Sequence, residues 1–475
     1  MAPRGSEPTH HCLSQAVYRV GILAALRSIQ TRSTIGLMIT TSHNTVTDNG
    51  IKGADPSGGM LTQQWEPFAD DVADSIFANA TDPLALIQLL DDFVKKETIK
   101  LEGAPAAEVF LGRDTRPSGM FLVEAAKQGI KSIIGVPVSD IGVVTTPQLH
   151  WMVRAKNKGM EAHEKNYYDQ LLTSFSITLL ENISNNVNDK LIVDGADGVG
   201  GQNILQLMSK LSNLTIDVRN FGDGVINEGA GVDYVQKEKI VPRGIGPAYA
   251  GMRCASLDGD ADRLIYFSVL PNSYKIDLVD GDKILSLFAL FLKDQLSIFN
   301  GPEVGKNANN SYQTSLALVQ TAYANGASTD YLKQLGLEVV LTPTGVKYLH
   351  EKAAEFDIGI YFEANGHGAI LFSDNFLSWL ETKNNELSSS SSEGSDQHKA
   401  ALRLLAVSKL INQAVVDAIL QHMGWSIHKW NGLYQDLPSR QLKLNIYEEG
   451  ALYDPQEQKM WLGCMLKHLH KKQPI

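Results

Sequence analysis

Three aspartates alternate with small residues at one point in the chain. Asp258, Asp260 and Asp262 are separated only by Gly259 and Ala261. Carboxylates this close repel one another, so the group needs a cation or strong hydrogen-bond donors. Oxygen ligands at this density suit a hard divalent ion such as magnesium or calcium. The pattern therefore predicts a metal site, with a solvated acidic turn as the plain alternative.

Two common ligand-binding motifs are excluded by the residues at their defining positions. An EF-hand calcium loop beginning at Asp258 needs glycine sixth and glutamate twelfth, but the chain has Arg263 and Val269 there. The segment 198–203 lacks the third glycine of the dinucleotide-binding fingerprint, since Asn203 occupies that position. The sequence therefore supports neither an EF-hand nor a nicotinamide cofactor.

Ser42 could carry a phosphate for which such a metal would be useful. It follows the apolar run Ile35–Ile39 and precedes the polar residues His43 and Asn44. A serine at a strand end often only caps a turn or helix, and the Gly-x-Ser-x-Gly pattern of a hydrolase is absent. Magnesium held by the aspartates could neutralise phosphoryl oxygens during transfer to and from the Ser42 hydroxyl. His43 is a candidate for assisting proton transfer.

Two arginines on a predicted strand-to-helix loop could bind phosphate. Arg113 and Arg116 lie on either side of Asp114, just after the apolar run 109–111. The guanidinium fork matches phosphate oxygens, and a helix N-terminus adds N–H donors. Viewed alone, a surface loop with one internal ion pair explains the same residues equally well.

A second polar loop could bind the hydroxyl groups of a polyol. Glu363, Asn365 and His367 alternate around Gly366 and Gly368. They offer an acceptor, an amide and an imidazole, and the glycines let a ligand approach the backbone. The alternative is a solvated loop without a ligand.

The pattern of apolar runs supplies elements that could bring these residues together. Short apolar strands alternate with helical periodicity at 17–27, 84–96 and 120–129. Such alternation indicates an α/β fold with mostly parallel sheets, whose functional loops follow the carboxyl ends of the strands. A chain of 475 residues is too long to fold around a single hydrophobic core. We therefore predict three α/β units and a short remainder, with a helical connection between the first two.

Composition narrows the class of protein. The 42 basic and 53 acidic residues give a net charge of −11, which disfavours a nucleic-acid partner. Only three cysteines occur, so we expect no disulfide framework and a reducing, cytoplasmic compartment. The longest apolar run, 284–292, is too short to span a bilayer, so we expect no membrane partner.

Three motifs in order resemble those of the α-D-phosphohexomutase superfamily. They are Thr41-Ser42-His43-Asn44, Asp258-Gly259-Asp260-Ala261-Asp262-Arg263 and Glu363-Ala364-Asn365-Gly366-His367-Gly368. The last motif, with Gln320-Thr321-Ala322-Tyr323-Ala324-Asn325-Gly326 before it, is similar to the phosphoacetylglucosamine mutase branch in particular. The likeness runs from about residue 17 to about residue 446.

The resemblance implies three phosphohexomutase-type α/β domains with mixed, mostly parallel sheets, and a role for each motif. The implied ranges are a phosphoserine domain at 1–160, a helical connection at 161–188, a metal-binding domain at 189–300, a sugar-binding domain at 301–430 and a remnant of a phosphate-binding domain at 431–475. The implied site comprises phosphoserine Ser42, a magnesium ion held by Ser42, Asp258, Asp260 and Asp262, the substrate-binding residues Glu363, Asn365, His367, Thr344, Gly345 and Lys347, and the lining residues Arg113, Arg116, Arg263 and Asn44.

The implied reaction interconverts N-acetylglucosamine 6-phosphate and N-acetylglucosamine 1-phosphate through a 1,6-bisphosphate, for the synthesis of UDP-N-acetylglucosamine. One magnesium ion would serve each active site, the partner would be a small sugar phosphate, and the protein would be a monomer.

The chain also departs from the family pattern towards both ends. The family's Gly-Thr-Ala-Gly-Phe-Arg loop has no counterpart in residues 1–15, and its Arg-Pro-Ser-Gly-Thr-Glu phosphate-binding loop is not found. The resemblance therefore implies a truncated fourth domain. Two alternatives stay open: a phosphoglucomutase or phosphomannomutase of the same fold, and a truncated, catalytically silent product that binds magnesium and sugar phosphate.

Overall fold

A computed structural model provides the structure of this chain. It describes residues 7–62, 65, 68, 83–101, 108–179, 190–208, 215–301, 312–390, 392–410, 412–438, 445–446, 452–454 and 459–460. Two compact units are present, the first covering Met1–Gln435 and the second Asp436–Ile475. The first unit holds three successive β-sheets flanked by helices, which confirms the predicted fold class.

The first sheet carries the segment around Ser42. Its strands are β1 (Ile35–Ile39), β2 (Ile51–Ala54), β3 (Val109–Arg113) and β4 (Val138–Val143), in the order β2-β1-β3-β4. All five residues of β1 are buried, as expected for a strand covered on both faces. Strands β1, β3 and β4 are parallel, whereas β2 pairs antiparallel with β1. The carboxyl ends of β1 and β3 therefore lie side by side, with Ile39 opposite Arg113.

The second sheet carries the aspartates. Its strands are β5 (Lys190–Asp194), β6 (Thr215–Arg219), β7 (Arg253–Leu257), β8 (Leu264–Val269) and β9 (Ile276–Val279), in the order β6-β5-β7-β8-β9. Strand β5 is parallel to β6 and β7, and the hairpins β7–β8 and β8–β9 are antiparallel. The aspartates occupy the tight turn between β7 and β8.

The third sheet carries the loop that begins at Glu363. Its strands are β10 (Leu316–Thr321), β11 (Glu338–Thr342), β12 (Ile358–Phe362) and β13 (Gly368–Phe372), in the order β11-β10-β12-β13. Strands β10, β11 and β12 are parallel. The 20-residue helix Gly281–Asn300 packs against this sheet and the second one, and buries residues on nearly all its faces. Burial on nearly all faces is expected of a helix in the core of a large protein.

Helices cover the three sheets. Their bounds are α1 Glu7–Thr31, α2 Pro83–Lys96, α3 Gly119–Lys131, α4 Thr146–Asn157, α5 Glu164–Leu179, α6 Val199–Met208, α7 Val232–Glu238, α8 Gly281–Asn300, α9 Gly326–Gln334, α10 Val346–Ala353, α11 Asp374–Ser388, α12 Asp396–Val407, α13 Asn412–Met423 and α14 Ile427–Asn431. The predicted helices at 17–27, 84–96 and 120–129 fall within α1, α2 and α3. The predicted helical connection contains α5, and its last part lies outside the described residues. Among the described residues, no helix combines the length and apolar character needed to cross a bilayer.

The second unit contains a small antiparallel sheet. Its strands are β14 (Asn445–Ile446), β15 (Leu452–Asp454) and β16 (Lys459–Met460), in that order. Asn445 pairs with Tyr453, and Tyr453 pairs with Met460.

Helices α1 and α3 cross at a pair of glycines. A Cβ atom on Gly129 would lie 1.8 Å from the carbonyl oxygen of Tyr18, and one on Gly21 would lie 2.5 Å from that of Ala126. Both obstacles are helix backbone, which cannot move without separating the two helices. Only glycine therefore permits this approach.

We expect the Gly129→Ala substitution to destabilise the protein by about 1–3 kcal/mol, because the methyl group forces the helices apart. Denaturant unfolding would measure the change. Lys131→Ala, at an exposed position of the same helix, should change the free energy of unfolding by about 0.5 kcal/mol or less. Alanine favours helices over glycine by about 1 kcal/mol, so a stabilised Gly129→Ala variant would contradict the close packing.

Candidate active site

Ser42 occupies a strained and fully anchored backbone position just beyond β1. Its φ angle of 56° lies in the left-handed region, which costs a non-glycine residue about 1–2 kcal/mol. The Ser42 N–H donates to the hydroxyl of Thr40 at 2.9 Å, and that hydroxyl donates to Asp114 at 2.7 Å. The side chain is buried. The fold therefore holds this hydroxyl in one direction.

The Ser42 hydroxyl points at the aspartate turn. Its Oγ donates to Oδ2 of Asp258 and lies 3.1 Å from Oδ1 of Asp262, although more than 200 residues separate the partners. Asp258 and Asp260 are completely buried. The predicted neighbourhood of Ser42 and the three aspartates is thus present in the structure.

Burial and mutual repulsion dominate the electrostatics of the aspartates. Burial raises the pKa of Asp258 well above its usual range, and the charges of Asp262 and Asp260 add to that rise. Burial would also raise the pKa of Asp262, but Lys52 and His367 outweigh it and hold that pKa well below its usual range. Adjacent carboxyl groups pushed in opposite directions are typical of a functional site.

Lys52 supplies the opposing charge within the protein. Its ammonium group donates to Asp260 at 2.8 Å and to Asp262 at 2.5 Å. Burial alone would lower the pKa of Lys52, but the three carboxylates reverse the effect and raise it. Nothing in the sequence indicates the role of Lys52, because a single lysine in a short strand has no spacing signal. Its position opposite Met38, on the antiparallel edge of the Ser42 sheet, becomes apparent only from strand pairing.

Thr146 is a second contact that sequence reasoning missed. It is the first residue of α4, where Thr145 and Gln148 form a capping box. The Thr146 hydroxyl donates to Oδ2 of Asp260 at 2.5 Å, and its N–H donates to the Asp260 carbonyl oxygen at 3.0 Å. The start of a helix from the first sheet therefore holds the middle aspartate of the second.

The donor set fits a hard divalent cation. One oxygen from each of the three aspartates lies within 4.8 Å of the others. Oδ1 of Asp260 is buried and has no hydrogen-bond partner among the described residues, which is costly for an acceptor without a ligand. An oxygen-only set with an orphaned carboxylate oxygen suits magnesium.

Arg116 contacts the backbone of the Ser42 loop. Its guanidinium is buried, pairs with Asp114, and donates from Nη2 to the carbonyl oxygens of Ser42 at 3.4 Å and Asn44 at 2.7 Å. Those carbonyl contacts give Arg116 and Asn44 structural roles in this loop beyond the lining positions predicted for them. Arg113 ends β3 and is half-buried, with its side chain against Gly119.

The loop after β12 is joined to the aspartate turn. The Leu264 N–H donates to the carbonyl oxygen of Gly366 at 3.1 Å. A Cβ atom on Gly366, whose φ is 81°, would lie 2.0 Å from the Leu264 carbonyl oxygen. His367 Nδ1 is 3.5 Å from Asp262, and Arg263 forms a β-bridge with His367. The third sheet therefore reaches the same centre as the first two.

The polar groups of this loop order one another. The Asn365 side chain donates to Glu363 at 3.1 Å and accepts from the His367 N–H at 2.9 Å. Thr344 and Gly345 follow β11, and Lys347 lies in the first turn of α10, where its ammonium is 5.2 Å from the ring of Tyr348. Because β11 and β12 are both parallel to β10, these two loops leave the sheet at the same edge.

His43 lies beside the serine and is half-buried. Burial, followed by the charge of Arg263, lowers the pKa of His43 to about 4. The imidazole is therefore neutral near pH 7. Its Nδ1 is buried without a hydrogen-bond partner among the described residues. The backbone N–H of Arg263 donates to Oδ1 of Asp258 at 3.1 Å.

Two parts of the chain match the profiles of known protein families. Residues 280–425 match "Phosphoacetylglucosamine mutase AMG1, domain III", and residues 84–163 match "Phosphoglucomutase/phosphomannomutase, alpha/beta/alpha domain I".

Several curated relatives are phosphoacetylglucosamine mutases. The chain is 57% identical to that of Arabidopsis thaliana over 465 residues, covering 94% of this chain and 82% of the relative. It is 39% identical to that of Homo sapiens over 457 residues, covering 93% and 79%.

Solved structures show the same similarity. A crystal structure of N-acetylglucosamine-phosphate mutase in the substrate complex superposes with a TM-score of 0.82, at 33% identity over 97% of this chain and 85% of that one. The Aspergillus fumigatus N-acetylphosphoglucosamine mutase in complex with GlcNAc-6P and magnesium gives 0.78, at 36% identity over 94% and 82%.

Lys52→Met tests the charge balance of the site. We expect the variant to lose about 1–3 kcal/mol of stability in metal-free buffer, because three carboxylates then lack their ammonium partner. Denaturant unfolding with a chelator, and again with magnesium, would measure this loss, and magnesium should reduce it. Lys352→Met removes an exposed ion pair with Glu355 and should have little effect in either buffer. Equal stability of the Lys52 variant and wild type without metal would contradict the assignment.

Proposed function

The chain belongs to the phosphoacetylglucosamine mutase family of the phosphohexomutases, and on that premise we propose that it interconverts N-acetylglucosamine 6-phosphate and N-acetylglucosamine 1-phosphate. Ser42 carries the phosphate that is exchanged, and a sugar 1,6-bisphosphate is the intermediate. The product then serves the synthesis of UDP-N-acetylglucosamine. The observation that carries the proposal is the Ser42 hydroxyl, which contacts Asp258 and Asp262 of the aspartate turn. Asp262 in turn lies beside His367, in the loop that also holds Glu363 and Asn365.

Each half-reaction moves one phosphoryl group. The bond between phosphorus and the Ser42 oxygen breaks while a bond to a sugar hydroxyl oxygen forms. The proton of that sugar hydroxyl ends on the Ser42 oxygen, which is left as a hydroxyl group. The bisphosphate then turns so that its other phosphate faces Ser42, and the reverse transfer restores the phosphoserine. A single centre can serve both ends of the sugar only if the hydroxyl-binding loop accepts two orientations.

Asp258, Asp260 and Asp262, together with the Ser42 oxygen, would hold one magnesium ion. When bound, that ion supplies positive charge that stabilises the phosphoryl oxygens. Lys52 adds a second positive charge to the same carboxylates. Arg263 and Arg113 line the site, and their charges favour anionic phosphate.

The chain's other polar groups bind and orient the sugar. Glu363 accepts, Asn365 donates and accepts, and His367 offers its ring to hydroxyl groups, while the loop of Thr344, Gly345 and Lys347 contributes a second contact. His43 is neutral near pH 7 and is able to accept the hydroxyl proton, although its low pKa makes it a weak base. The protein acts as a cytoplasmic monomer.

Turnover by the purified chain is the direct test. With magnesium, catalytic sugar bisphosphate and N-acetylglucosamine 6-phosphate, we expect formation of the 1-phosphate, because Ser42 is held ready for transfer. Ser42→Ala should remove activity, and mass spectrometry should find phosphate on Ser42 in the wild type only. Absence of turnover above the Ser42→Ala background would favour the silent alternative. Faster turnover of glucose or mannose phosphate would favour the other mutases of this fold.

Asp260→Asn should lower turnover by about a hundredfold or more and weaken magnesium binding measured by calorimetry, because the site loses one negative ligand. Asp277→Asn, at an exposed position of β9, should change neither quantity. Unaltered magnesium binding by the Asp260 variant would refute the assigned metal site.

A further inference from the structure

Two side chains from different parts of the chain donate hydrogen bonds to the same pair of backbone carbonyl groups. The carbonyl oxygens of Ser42 and Asn44 both accept from Nη2 of Arg116, and both also accept from the side-chain amide of Asn227, at 2.8 and 2.9 Å. Arg116 belongs to the same sheet as Ser42. Asn227 belongs to the segment between β6 and α7 of the second sheet. The Ser42 loop is therefore held from both sides of the junction between these sheets.

The segment around Asn227 is itself fixed at this place. The Asn227 N–H donates to the Ala196 carbonyl oxygen at 2.9 Å, and its φ of 60° turns the side chain towards the serine loop. The neighbouring Ile226 packs on Gly259 in the aspartate turn. A Cβ atom on Gly259 would lie 2.5 Å from Cδ1 of Ile226 and 2.9 Å from the Ser42 carbonyl oxygen.

These hydrogen bonds hold Ser42, the residue whose backbone is strained. A left-handed serine relaxes to an extended or helical conformation unless its surroundings prevent the rotation. Such a rotation would swing the Ser42 carbonyl away from Asn227 and, at the same time, turn Oγ away from Asp258 and Asp262. Holding the carbonyl oxygens therefore also holds the direction of the hydroxyl.

We propose that Asn227 is a positioning residue for phosphoryl transfer, acting through the carbonyl oxygens of Ser42 and Asn44 to keep the Ser42 oxygen aimed at the aspartate turn. This inference rests on the proposed function. An asparagine suits the task because its amide carries two N–H donors, one for each carbonyl, without adding charge beside the metal ligands. Phosphoryl transfer tolerates little displacement of the reacting oxygen. Loss of the Asn227 hydrogen bonds therefore affects the chemical step more than substrate binding.

A purely structural role for Asn227 makes a different prediction. An asparagine that only ties two sheets together would lower the stability of the folded protein and leave the turnover of folded molecules unchanged. A positioning residue lowers kcat, leaves KM for the sugar phosphate close to its wild-type value, and slows the loading of phosphate onto Ser42. The division between kcat and KM therefore separates the two roles.

Two substitutions remove the donors in different ways. Asn227→Asp preserves the shape of the side chain and the tolerance of a left-handed backbone but has no N–H to donate and adds a negative charge, which the Asn227→Gly variant does not. Asn227→Gly removes the side chain and accepts a positive φ without strain. Asn272, which has a φ of 53° and lies exposed in the turn between β8 and β9, offers the matched controls Asn272→Asp and Asn272→Gly.

The experiment measures kcat and KM with N-acetylglucosamine 6-phosphate, the rate of Ser42 phosphorylation by the sugar bisphosphate, and thermal unfolding of each variant. We expect both Asn227 variants to lose about tenfold to a hundredfold in kcat and in phosphorylation rate, with KM within about twofold and the controls unaffected. The proposal is overturned if kcat stays within about threefold of wild type, if only KM changes, or if correction for the folded fraction restores the rate. An inactive wild type would instead overturn the proposed function, which keeps the two failures apart.

Discussion

Mutual repulsion among three closely spaced carboxylates, two of them fully buried, is the constraint on which this site depends. Asp258 and Asp260 have no solvent exposure, so water cannot screen their charges. The protein answers with Lys52 from the first sheet, with the Ser42 and Thr146 hydroxyl groups, and with His367 from the third sheet. Every one of these groups comes from outside the second sheet. Arg263 in the turn also favours the ionised form of Asp258, but the rest of the compensation for this sheet comes from the other two.

The sequence identified the parts of this site that are contiguous. The aspartates from Asp258 to Asp262 can be recognised in the sequence because repeated carboxylates at fixed spacing have few explanations. The alternation of apolar runs correctly indicated α/β sheets. The strand order within each sheet was not readable, since apolar periodicity does not specify which strands pair. Where one helix ends and the next begins was not readable either: between residues 396 and 423 the structure has two helices, because the first ends at Val407 in tight turns.

For a common physical reason, the roles of three residues could not be predicted from the sequence: Lys52, Thr146 and Asn227. Each is a single polar residue whose partner lies far away in the chain, and no local spacing distinguishes it from an ordinary surface residue. Thr146 even has an adequate local explanation, because it begins a capped helix. The contacts of Thr146 and Asn227 come from loops at the shared edge of the sheets, and those of Lys52 come from the antiparallel pairing of β2 with β1, so all of them are properties of the assembled sheets.

The backbone contact between Gly366 and Leu264 limits how the recognition of different sugars can diversify on this scaffold. The two loops touch main chain to main chain, without a side chain between them that could absorb a change. An insertion or deletion in the loop after β12 would shift the aspartate turn as well. New specificity in this lineage, or in an engineered variant, must therefore arise by exchanging side chains on a loop of fixed length.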